Sequence, residues 1–193
     1  MGPLQILCAI VPVAASSKLS FMSRKTVPIP FALCFVLFLA TWARATTVER
    51  LGLEDLVKKS GAIVVGKVTG SHTYWSADHK LILTDYTIDV DENIKGQNRR
   101  RVAVTTLGGK IGDRELHVSG MPAFQTGENA VLFIEQSGAY ETVVGLGQGK
   151  FTITSGEVTN SVGGLAFPDG KPGNPMKMPL QTFKNQIRTL LNR

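Results

Sequence analysis

GAIVVGKVTG, residues 61–70, is the clearest strand start in the chain. Ile63, Val64, Val65 and Val68 are β-branched and pack well on a pleated surface, and the unbroken run Ala62–Val65 predicts burial on both faces. Gly66 interrupts that run and predicts a bulge or a close approach by a neighbouring backbone. Just upstream, Thr46–Ser60 (TTVERLGLEDLVKKS) reads as a lead-in and a short helix. Glu54 and Asp55 stand early and Lys58 and Lys59 late, the order a helix dipole favours, with Gly61 as the stop. Downstream, Leu81–Val90 (LILTDYTIDV) alternates. Ile82, Thr84, Tyr86, Ile88 and Val90 share one face, predicted inward, and Leu83, Asp85, Thr87 and Asp89 share the other.

The same reading carries to the end of the chain. Val102–Leu107, Asn129–Glu135, Tyr140–Leu146 and Lys150–Thr154 read as strands, with a short one at Glu115–Val118 and turn signals between them. Ser71–Lys80 (SHTYWSADHK) is polar and aromatic and reads as a strand end and hairpin tip. Residues 155–179, rich in Gly, Pro, Ser and Asn, read as a long flexible loop. Leu180, Phe183, Ile187 and Leu190 recur at helical spacing, so 180–193 is expected to be an amphipathic helix. The fold expected is mainly β: a small OB-like barrel of five to six strands over 46–154, with a short N-terminal helix and the C-terminal helix.

Composition is informative only once the amino terminus is set apart. Met22-Ser-Arg-Lys25 is basic, Phe31–Ala40 (FALCFVLFLA) is apolar, and Ala43-Arg44-Ala45 has the small residues of a cleavage site. Basic, apolar and A-x-A in that order predicts a secretory signal over 1–45, cut after Ala45. The apolar run is shorter than the roughly 20 residues of a membrane span. A complete signal begins at Met22, which marks Met22 as the expected translation start. The expected location is therefore periplasmic or secreted, with membrane contact only through an uncleaved signal.

Removing 1–45 takes away Lys18, Arg24, Lys25 and Arg44 and no acid, so 21 basic residues against 15 acidic become 17 against 15. A net +2 gives no general electrostatic case for nucleic acid. Cys8 and Cys34 leave as well. The remainder has no disulfide, cysteine nucleophile or thiolate metal site, and its 148 residues suffice for one core.

Three groups of residues carry candidate chemistry. His72, Asp78, His79 and Asp85 lie on or near one hairpin, and His117 stands close to Asp113 and Glu115. Imidazole and carboxylate are ligands for zinc, although the spacing matches no zinc pattern. Gly145–Lys150 (GLGQGK) departs from a phosphate loop, with Val144 where glycine is required and Phe151 where Ser or Thr is required. No cofactor and no catalytic residue are therefore assigned. Tyr74 and Trp75, with His72 beside them, are large aromatics in a polar stretch and suit a binding platform.

A helix, then SGAIVVGKVTG, LTDYTIDVDENIKG and GENAVLFIEQ with a following hairpin, is an order similar to the netrin-like domain, the OB-type barrel of tissue inhibitors of metalloproteinases. Leu53–Thr154 also resembles a group of uncharacterised exported bacterial proteins with strands of the type IVVGKV, PAFQTGE–VLF and VVGLGQGKF. The netrin-like resemblance implies an inhibitor whose freed terminal amine and carbonyl chelate a protease's zinc. Here those groups would belong to Thr46 and Thr47. The function expected is a non-enzymatic exported binding domain for a protein or cell-envelope partner. The alternative is a metal-dependent hydrolase using the hairpin histidines.

Overall fold

The computed structural model describes residues 48–193. The expected signal and the Thr46-Thr47 pair lie outside them. Helix α1 (Leu53–Lys59) opens at Gly52, whose N–H donates to the Asp55 carboxylate at 2.9 Å. It ends at Ser60, whose hydroxyl donates to Val57 O. Its buried side, Leu56 and Val57, faces the sheet, and Lys59 pairs back to Glu49 in solvent.

The elements that follow are β1 (Ala62–Trp75), β2 (Ile82–Lys95), β3 (Arg101–Leu107), the small hairpin β4 (Gly109–Ile111) and β5 (Arg114–Leu116), β6 (Asn129–Ser137), β7 (Tyr140–Val143), a 3-10 turn (Leu146–Gly149), β8 (Lys150–Thr154), β9 (Glu157–Asn160), β10 (Lys177–Pro179) and helix α2 (Leu180–Leu191). One antiparallel sheet runs in the order β10-β9-β8-β6-β1-β2-β3, and β7 pairs with β6 alone. The opening strand lies inside it: residues 62–67 pair with β6 on one side, and 63–67 pair with β2 on the other.

Alternation along β1 then builds both halves of the core. Ile63 and Val65 point to the helical side, where they join Leu56, Val57, Ile187 and the aromatic trio Phe133, Phe151 and Phe183. The ring centroids of that trio lie 4.5 to 6.1 Å apart, within the range of tilted and edge-to-face contacts. Ala62, Val64 and Val68 point into the curl of the sheet against Ile88, Val102, Val104, Leu132 and Phe124. Gly66 combines both sequence readings. The ladder shifts register between Val65 and Gly66, and a Cβ on Gly66 would lie 2.4 Å from Asp89 O.

A mainly β domain with a helix near each end is what the sequence predicts and what the structure shows. The sheet does not close into a barrel. β3 and β7 run with Cα atoms within 8 Å of each other, yet no ladder joins them. β7 is only four residues long. The seam between them is crossed by Arg99, whose Nη1 donates to both oxygens of Glu141 at 2.8 and 2.7 Å.

Residues 155–179 also differ from a plain flexible loop. They hold β9 and β10 and a small cluster in which Val162, Leu165 and Phe167 are buried. Glycine and proline mask three anchors there that obey no period. Among the described residues no helix is long and apolar enough to cross a membrane.

Helix α2 is tied to β2 through Glu92, which accepts from Lys184 and from Arg188. Burial alone raises the Glu92 carboxyl, but the hydrogen bonds and charges of the two cations outweigh it and hold it below the ordinary 4.5. A carboxyl depressed on folding contributes stability that is complete above its unfolded value and is lost as pH falls through the folded one. Stability should therefore decline below about pH 4.5. In Glu92→Gln that portion of the decline should be missing from urea titrations across the acid range.

Candidate functional site

The outer half of the β1–β2 hairpin runs past the last residues that pair with β6, and it carries the predicted binding residues. They lie on the strand itself. The hairpin tip is confined to residues 76–81, where Ser76 N–H donates to Leu81 O and Asp78 accepts from the Ser76 hydroxyl. Strand alternation divides the aromatics. His72 and Tyr74 share the outer face and stack, with centroids 5.7 Å apart and rings inclined by 14°. Trp75 faces the other way and lies 5.9 Å beneath the Arg114 guanidinium of β5. Of the three residues expected to form a platform, His72 and Tyr74 thus share a face and Trp75 does not.

Asp85 completes the outer face from β2, directly across the ladder from His72. It accepts from Tyr74 Oη at 3.1 Å and from Thr105 Oγ1 of β3 at 2.7 Å. Burial first, then the Asp85 bond and charge, push the Tyr74 phenol above its ordinary 10.0. Tyr74→Phe should cost about 1 kcal/mol, the worth of one such hydrogen bond. It should also remove a tyrosine transition above pH 10.0 from an ultraviolet titration.

The histidines are dispersed. His72 is mid-strand, His79 occupies the tip with φ 55°, and His117 lies in the connection after β5. Among the described residues no three His, Cys, Asp or Glu side chains are grouped to hold a metal ion.

A second locus takes in His117 and Lys150 from the sequence candidates, in a grouping the sequence does not suggest. The connection 117–125 straps across the concave side and leaves a cleft of about 580 Å³ whose lining includes His117, Ser119, Glu128, Lys150, Thr152 and Ser161. At its floor Lys150 Nζ lies 2.7 Å from Glu128 Oε1, with side chains only 8% and 12% exposed. Lys150 also donates to Ala123 O and sits 4.6 Å from the Phe124 ring centroid. Glu128 accepts from Thr152 Oγ1 and from Gln125 N–H. Burial raises its carboxyl, but those bonds and the Lys150 charge prevail and hold it below 4.5. Each member of the pair is already satisfied by protein groups, so the pair acts as a clamp on the 125–128 turn. The legible signal was a charge on the boundary of each of two buried strand runs, Glu128 before NAVLFIE and Lys150 before FTIT.

Next to the cleft, Gln148 is 2% exposed and anchors the segment ahead of α1. It accepts from Leu51 N–H and donates to Glu49 O and Gly145 O. Val48 N–H donates to Ala166 O, and the Arg50 guanidinium reaches Asp169 while lying 4.0 Å from the Phe167 centroid. Comparison with protein-family models, with curated proteins and with solved structures finds no match to this chain.

Proposed function

We propose that this chain is a non-enzymatic, exported binding domain, an OB-like barrel in its finer classification, which engages a protein or cell-envelope partner. The observation that carries the reading is the stack of exposed His72 on half-buried Tyr74, fixed by Asp85 and Thr105 on a hairpin that projects past β6. Aromatic side chains with a polar edge give large contact area at low entropic cost, and their positions here are set in advance. The OB-like assignment is supported by the adjacency of β3 and β7, which would complete a ring of β1, β2, β3, β7 and β6. Export is supported by residues 22–45.

The inhibitor-like form of the reading gains support from the latch at Val48. A cut after Ala45 would leave only Thr46 and Thr47 ahead of an amide already bound to Ala166.

The test is a photoreactive residue placed at His72, and separately at the exposed Arg188 of α2, in cells that express and export the chain. Adducts with a partner from position 72 and none from 188 are expected, on a protein whose intact mass begins at Thr46. Equal adduct patterns from both sites, or none from either, would defeat the reading.

A further inference from the structure

One edge of β1 is without a neighbour over its outer half. Pairing with β6 ends at Lys67–Asn129, and the last bonds on that side are Val68 N–H to Glu128 O and Gly127 N–H to Val68 O. Which residues then face outward follows from two bonds. Ser76 bonds Leu81 across the hairpin, while Ile82 gives its carbonyl to Gly108 on the side of β3. Trp75, opposite Ile82, therefore turns its N–H and C=O away from β2, and alternation turns those of Thr73 and Ser71 the same way. Among the described residues no backbone group pairs with these three.

Edges of this kind are usually blunted by lysine or proline. Residues 69–75 (TGSHTYW) contain neither, and no acid or basic residue other than His72. Lysine and proline ordinarily keep a free edge from pairing with its own copy, and without them a second copy of this chain is the occupant that nothing in the segment opposes. A two-fold axis through Thr73 sets Thr73 against its own copy and Ser71 against Trp75, so all three outward residues of each strand enter hydrogen-bonded pairs. The intervening close pair is His72 against Tyr74, twice, on the exposed face. No like charges meet across the axis.

We infer that the free edge of β1 pairs antiparallel with the same edge of a second copy, centred on Thr73, to make one sheet through two domains. This rests on the proposed binding role in one respect: the dimer sets two His72–Tyr74 stacks side by side and so doubles the surface offered to a partner.

Sedimentation of the exported protein over a concentration series tests it. A monomer–dimer equilibrium is expected, and Thr73→Pro removes an outward N–H without touching the β2 ladder. It should raise the dimer dissociation constant about tenfold or more, through loss of the two ladder bonds that the paired Thr73 amides donate. Ser71→Pro, at an exposed position, should act in the same direction should the first variant fold poorly. Hydrogen exchange on the unaltered protein should show concentration-dependent protection at Ser71, Thr73 and Trp75. A monomer at every concentration would overturn the inference, as would a dimer indifferent to both prolines. A monomer that still gives a foreign adduct from position 72 would overturn it while leaving the binding role standing.

Discussion

Lys150→Met should destabilise the domain by roughly 3–5 kcal/mol, the cost of leaving a buried charge without its partner. The substitution fills the space of the lysine stem but leaves Glu128 at 12% exposure with only Thr152 and the Gln125 amide for company. Glu128 is below its ordinary value in the intact protein even though burial opposes ionisation, because its bonds and the Lys150 charge prevail. Without that cation, burial wins and the carboxyl should rise. The pH dependence then reverses. The intact protein gains stability as pH rises past the Glu128 value, whereas a Glu128 raised on folding stabilises below its unfolded value and loses that contribution as pH rises. Urea midpoints taken from pH 5 to 8 should therefore fall with rising pH in the variant. Lys150→Met with Glu128→Gln should recover much of the loss. A midpoint within experimental error of the parent would show that the pair holds nothing together.

Gly66→Ala should cost about 2–4 kcal/mol, at the upper end of what overpacking does. Its Cβ would lie 2.4 Å from Asp89 O and 2.8 Å from Ile88 Cγ2. The first of these is backbone in the neighbouring strand, so relief requires β1 and β2 to part in the interior of the sheet. Gly70→Ala is the matched control, since nothing lies within 4 Å of a Cβ there. It should change the unfolding free energy read from urea titration by a few tenths of a kcal/mol. Equal effects at the two glycines would remove close approach as the reason for Gly66.

Those two sites mark how far the sequence could be read. Gly66 was legible because a glycine inside a β-branched run violates strand preference, and close approach is one of few reasons for it. The inward face of β2 and the helix at Leu180–Leu191 were legible from their periods of 2 and 3.6. Glu128 and Lys150 each stood out as a charge at a strand boundary, but their pairing was not legible, because they are 22 residues apart and meet only once β6 and β8 lie side by side. Pairing order is a tertiary property with no local pattern. The division of Tyr74 from Trp75 was hidden for a simpler reason. Read as a hairpin tip, the segment had no alternation to apply, and only the length of β1 supplies it.

The seam between β3 and β7 bears on how the domain comes apart. Two strands in contact without a shared ladder leave a row of amides on each side that water can reach. Deuterium should therefore enter along that line before it enters the β6–β1–β2 ladders. Arg99 and Glu141 are the rivet across it, and salt or a lost charge there should make the curled sheet breathe like a cuff with its button undone, while its centre keeps its protons.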